Sequence, residues 1–189
     1  MNHFETEVKL AWSGTAAEAR ASIESCGYSL QKARQLETDV LFDRAGELRQ
    51  QRQVLRLRRI SNGENVRAII TYKGQPREGP HKVREEIEFE ASEPSAVELV
   101  LNRLGYSPGF RYEKYRSTFS IPGEPGIVTL DEVPIGVFLE LEGPAHWIDD
   151  TARRLGFTAA DYVTSSYAAL YQAYRARHPQ APPGMVFQN

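Results

Sequence analysis

Three charged side chains stand at alternate positions near the start of the chain: Glu5, Glu7 and Lys9, with Thr6 and Val8 between them. Extended backbone sends alternate residues to opposite faces. Glu5, Glu7 and Lys9 therefore share one face, and Phe4, Val8 and Leu10 share the other. The same pattern recurs along the chain. Arg56 and Arg58 alternate with Leu55 and Leu57, and Lys73 sits beside Tyr72. Arg84, Glu86 and Glu88 oppose Val83, Ile87 and Phe89, while Lys114 and Arg116 oppose Tyr115 and Phe119. Asp131 opposes Leu130, and Glu140 and Glu142 oppose Leu139 and Leu141. One such strand is simply how an antiparallel sheet meets water. Repetition over seven segments predicts the charged faces turned toward one another inside a closed sheet, with apolar faces outward.

The chemistry follows from the two residue classes. Converging carboxylates repel unless a positive charge sits among them, and hard cations such as Mg²⁺ or Mn²⁺ take carboxylate oxygens. Converging Arg and Lys need an anion, and the guanidinium fork matches phosphate oxygens. Acids holding a divalent cation opposite bases holding a phosphate chain are the minimum for phosphoryl chemistry. The alternative is an interior of mutually neutralising ion pairs, which is energetically poor because burying charge often costs more than pairing returns.

These side chains need strands to hold them. Alternation predicts strands at residues 3–11, 37–43, 52–60, 65–73, 82–90, 110–121, 126–132 and 137–142. Asn62-Gly63, Pro122-Gly123 and Pro125-Gly126 supply turn signals. Eight short strands point to a barrel or a strongly curled antiparallel sheet. An apolar outer face needs cover, since burial is worth roughly 25 cal/mol per Å². Four helices are expected: a capped segment from Thr15-x-x-Glu18 to near Gly27, Glu93 to Leu104, Ala145 to Leu155, and one from near Thr158 toward Arg177. The expected fold class is α+β: an eight-stranded antiparallel β-barrel, or tunnel, with a charged interior and about four α-helices outside. It forms one domain over residues 1–178, with a loose, flexible tail over 179–189 that holds three prolines.

The 189 residues carry 23 Lys+Arg and 25 Asp+Glu, a formal net charge of −2, which disfavours duplex nucleic acid as a partner. Cys26 is the single cysteine, so no intrachain disulfide is expected. No apolar run reaches the ~20 residues of a membrane span, and no signal-peptide apolar region opens the chain; a cytoplasmic, membrane-free protein is the expectation. His3, His81, His146 and His178 lack metal-ligand spacing. Gly74-x-x-x-x-Gly79 lacks the Lys-Ser/Thr ending of a phosphate loop and reads as a turn. Trp12 is expected to pack beneath the first helix.

In order along the chain stand Glu5-x-Glu7-x-Lys9, Leu55-Arg56-Leu57-Arg58, Thr71-Tyr72-Lys73-Gly74 and Arg84-Glu85-Glu86-Ile87-Glu88. Lys114-Tyr115-Arg116, Leu130-Asp131-Glu132-Val133 and Phe138-Leu139-Glu140-Leu141-Glu142 follow. This ordered set resembles the CYTH superfamily, the triphosphate tunnel metalloenzymes, over about residues 3 to 175. That group includes class IV adenylyl cyclases, thiamine triphosphatases and inorganic tripolyphosphatases. The resemblance implies that Arg56, Arg58, Lys73, Arg84, Lys114 and Arg116 bind a triphosphate and that Glu5, Glu7, Asp131, Glu140 and Glu142 bind the metal. It implies that Lys9 touches phosphate or orients the attacking group, giving Lys9 and Glu7 catalytic roles. Glu86 and Glu88 match acidic positions that support metal or bases. The segment Asp39-Val40-Leu41-Phe42-Asp43 is similar to class IV cyclases, but Glu37 and Leu41 depart from their Gln and Tyr.

Two reactions share such a site. A metal-activated water can attack the terminal phosphoryl, or a ribose 3′-hydroxyl can attack the α-phosphorus and release pyrophosphate. The expected substrate is ATP, thiamine triphosphate or tripolyphosphate, handled by a monomer or homodimer with Mg²⁺ or Mn²⁺. A non-catalytic nucleotide or polyphosphate binder would keep the bases without needing the acids.

Overall fold

The computed structural model describes residues 4–62 and 65–188. Its chain order is β1 (Phe4–Trp12), α1 (Ala16–Ser25), β2 (Ser29–Asp43), α2 (Glu47–Gln50), β3 (Val54–Asn62), β4 (Asn65–Lys73) and β5 (Lys82–Ala91). Then come α3 (Pro94–Arg103), β6 (Ser107–Ser120), β7 (Ile127–Val133), β8 (Gly136–Glu142), α4 (Ala145–Arg154), a 3₁₀ turn (Ala159–Asp161), β9 (Tyr162–Val163) and α5 (Tyr167–Arg177). The strands run β5-β4-β3-β2-β6-β7-β8-β1, every neighbour antiparallel. β1 then pairs back onto β5, from Phe4↔Glu85 to Glu7↔Lys82, and closes the barrel. β9 lies outside the ring on the free end of β1, through Lys9↔Val163 and Leu10↔Tyr162.

Registers put like faces together. Lys9 stands opposite Glu140, Glu7 opposite Glu142, and Arg116 opposite Asp131, all pointing inward. The outward faces are apolar and covered. Val8, Leu10, Val128, Leu130, Leu139 and Leu141 are buried beneath Ile23 of α1 and Trp147 and Ile148 of α4. Val40, Phe42, Leu57 and Ala68 lie beneath Val97 and Leu101 of α3. α1 starts as expected, with Thr15 Oγ1 accepting from Glu18 N and Glu18 accepting from Thr15 N. Trp147 packs so closely over the β7 entrance that a Cβ on Gly126 would lie 2.4 Å from its ring; only glycine leaves room there. Trp12 packs against Phe157 at the margin of the same core.

Four expectations need correction. β2 begins at Ser29 rather than residue 37, because register shifts against β6 break the alternation of its first half. The short α2 was not foreseen; Asp43 caps it by accepting from Leu48 N and Arg49 N. The fourth expected helix does not run from Thr158. Thr158 caps only the single 3₁₀ turn, Tyr162 and Val163 extend along β1, and α5 starts at Tyr167 with Ser166 accepting from Ala169 N. The apolar spacing from Tyr162 to Leu170 bridged that break. Residues 179–188, expected as a loose tail, lie along β6: Met185 is buried, Glu113 N donates to its carbonyl, and its N–H donates to Arg111 O. A lone methionine among prolines carries no periodic signal of docking. The Asn62-Gly63 turn lies outside the described residues.

Candidate functional site: a charged pore

The barrel encloses a cavity of about 600 Å³. Glu5, Glu7, Lys9, Arg56, Arg58, Lys73, Arg84, Glu86, Glu88, Lys114, Arg116, Glu140 and Glu142 all line it. Residues drawn from six strands thus meet on one axis. Asp131 shares the inward face but is fully buried beneath the bases around it. Its Oδ1 accepts from Arg116 Nε at 2.6 Å, and its Oδ2 accepts from Lys114 Nζ and the Tyr167 hydroxyl, both at 2.9 Å. With its oxygens so engaged, Asp131 orients bases.

Sequence reasoning missed several members of the wall. Glu37 and Asp39 lie inside β2: Arg58 Nε donates to Asp39 at 2.9 Å, and Arg58 Nη1 lies 3.0 Å from Glu37. Lys82 donates to Glu7 Oε1 at 2.6 Å. Alternation back from Arg84 places Lys82 on the same face, so that signal was present. Thr71 links Arg56 to Glu88, accepting from one and donating to the other, each at 2.9 Å. Tyr112 and Tyr167 also reach the cavity; alternation back from Lys114 places Tyr112 on the charged face, whereas nothing in its local sequence marks Tyr167.

The wall does contain many of the ion pairs that the alternative reading invoked. Lys73 bonds Glu86, Arg116 bonds Glu140, and Lys9 lies 3.2 Å from Glu140. Burial works against charge on Glu7 and Glu140, yet the surrounding bases outweigh it and hold both well below the usual carboxylate range. Burial likewise opposes the charge on Lys9, but Glu140 and Glu7 hold it above its ordinary value. Lys114 is pulled down by burial and by Arg116.

Pairing is incomplete in two places, and these define what the site can do. Arg56 and Arg84 are buried in the wall, and neither Nε makes a hydrogen bond, although each lies 3.4 Å from a carboxylate oxygen, of Asp39 and Glu86 respectively. Buried donors of that kind call for an acceptor. At another point acids meet acids. Glu5 is pushed up to about 8 by burial, then by Glu142 and Glu86, and Glu142 is raised by burial and by Glu7. Carboxylates raised in this way suit a hard cation, which would let them ionise. Among the described residues, no three acids or histidines already stand close enough to form a complete ligand cage.

Linkage gives this arrangement a pH signature. Glu5 titrates at about 8 in the fold against an ordinary 4.5, so between those values the folded state holds more protons and loses stability as pH rises. Lys82 titrates at about 8 against 10.5, so above about 8 the folded state holds fewer protons and regains stability. The thermal midpoint of protein in EDTA is therefore expected to fall from about pH 5 to about pH 8 and then to rise again above it. A midpoint rising steadily across that window would contradict the raised Glu5.

Fold and wall together define a closed antiparallel barrel around a pore lined by both acids and bases. The chain belongs to the CYTH domain family, whose profile matches residues 3–167, and that family binds triphosphate substrates. Solved structures agree on the fold. PH1819 from Pyrococcus horikoshii OT3 is 23% identical, with a TM-score of 0.75 over 90% of this chain and 99% of that one. A candidate adenylate cyclase from Vibrio parahaemolyticus is 20% identical, with a TM-score of 0.76 over 91% and 99%. HpAC1 from Hippeastrum, described as having a dominant triphosphatase activity, is 14% identical, with a TM-score of 0.65 over 90% and 95%. A comparison with curated proteins finds no match. Among the described residues no helix is long and apolar enough to cross a membrane.

Proposed function

We propose that this protein hydrolyses the terminal phosphoryl group of a triphosphate inside the barrel, with Mg²⁺ or Mn²⁺. The observation that carries the reading is the pair of buried guanidinium Nε–H groups of Arg56 and Arg84, each 3.4 Å from a carboxylate but without a hydrogen bond, set among Lys9, Arg58, Lys73, Lys114 and Arg116. An oxyanion chain supplies the acceptors they lack.

Glu5 and Glu142 are the acids best suited to hold the metal, with Glu7, Glu86 and Glu140 near enough to join them as their basic partners turn to phosphate. Bound there, a divalent cation would polarise phosphoryl oxygen and activate water. The chain's own groups do the rest. Arg116 and Lys114, fixed by Asp131, offset charge on the phosphate oxygens, and Lys9, whose proton is firmly held, donates a hydrogen bond.

The test is a panel of ATP, thiamine triphosphate and tripolyphosphate with Mg²⁺ and Mn²⁺, followed by product identification. Orthophosphate plus a diphosphate supports hydrolysis. A cyclic nucleotide plus pyrophosphate would assign the same wall to cyclisation, and metal-independent binding without turnover would assign it to a binder. Arg56→Ala is expected to weaken tripolyphosphate binding by about 1.5–3 kcal/mol through lost charge-assisted hydrogen bonds. Unchanged affinity in calorimetry would place Arg56 outside the phosphate path.

A further inference from the structure

We infer that Tyr167 is a positioning residue of the basic wall, aligning Lys9 and Lys114 with its ring and Asp131 with its hydroxyl. The inference rests on the reading of the cavity as a triphosphate site. Tyr167 opens α5 and is buried against the cavity. Its hydroxyl donates to Asp131 Oδ2 at 2.9 Å, the oxygen that also accepts from Lys114. The Lys9 ammonium lies 5.2 Å from its ring centroid and that of Lys114 lies 5.5 Å away. Two like charges thus share one aromatic ring, whose electron-rich face attracts cations. The ring is held in turn by Phe138, edge-on at 5.6 Å, and by Tyr112 at 6.1 Å. Tyr167 therefore acts on three groups of the wall at once, through one hydrogen bond and two cation–π contacts.

The two kinds of contact can be separated. Tyr167→Phe keeps the ring and removes the hydroxyl; Tyr167→Leu removes both. The control is Tyr171→Phe. Tyr171 shares the helix and the aromatic cluster, but its hydroxyl donates to Pro182 O and touches no wall residue. Tripolyphosphate is titrated calorimetrically into each protein in EDTA, well below its thermal midpoint. Tyr167→Phe is expected to bind about fivefold more weakly and Tyr167→Leu about fiftyfold more weakly, reflecting first one hydrogen bond and then the cation–π contacts as well. Tyr171→Phe should lower the thermal midpoint and leave affinity unchanged. Wild-type affinity in Tyr167→Phe overturns the role of the hydroxyl, even if the leucine variant fails to fold. Equal losses in Tyr167→Phe and Tyr171→Phe would make Tyr167 a packing residue and overturn the inference. Wild-type protein that binds no tripolyphosphate overturns the cavity reading itself, an outcome distinct from the other two.

Discussion

Glu5→Gln and Glu142→Gln are each expected to cut metal-dependent triphosphate turnover about hundredfold or more, while raising the thermal midpoint of the metal-free protein. The two effects share one cause. Glu5 and Glu142 are carboxyls held among other acids, and both are raised above the ordinary range by burial and by acidic neighbours. Either substitution removes the cost of holding a buried carboxyl against its ordinary ionisation beside other acids in the folded state. The same charge is what a divalent cation would neutralise, and losing a carboxylate ligand removes part of the metal's hold on the transferring group, where about 2.7 kcal/mol corresponds to hundredfold in rate. Steady-state assays at saturating Mg²⁺, paired with thermal melts in EDTA, check both halves. Near-wild-type turnover would remove that acid from the metal set. A lowered midpoint would show that its charge stabilises the fold rather than straining it.

Asp131→Ala carries the largest expected cost to stability, about 3–5 kcal/mol, the usual penalty for stripping one partner from a buried ion pair. Asp131 is fully buried and engages Arg116, Lys114 and Tyr167 together. Its loss leaves an ammonium and a guanidinium buried beside one another, and Lys114 is already pulled down by Arg116. Asp131→Asn keeps an acceptor for the Tyr167 hydroxyl and should cost less than Asp131→Ala. Urea unfolding of the three proteins measures the order. A cost below about 1 kcal/mol for Asp131→Ala would mean that water or another acid replaces the carboxylate, as at an exposed pair.

The sequence carried most of the barrel because period-two alternation is a local property. Glu5, Glu7 and Lys9 must share a face wherever β1 lies, and the same holds for Arg56 with Arg58 and for Glu140 with Glu142. Recurrence of charged faces, with apolar faces between them, announced a sheet closed around its own charges. Tyr162 to Leu170 misled because helical spacing survives a break that extended backbone fills. Glu37 and Asp39 escaped notice as wall residues because their burial depends on Arg58, nineteen residues beyond Asp39.

By itself, the order of residues determined which side chains share each strand face, and so the mixed acid and base character of the pore, since strand geometry leaves no other choice. Only the tertiary structure decided how those charges divide their labour. Registers between distant strands placed Asp131 beneath the bases it orients, left Arg56 and Arg84 each without a hydrogen bond at Nε, and crowded Glu5 against Glu86 and Glu142. Electrostatic coupling varies with separation through space, and separation is set by closure of the barrel, which no local pattern encodes.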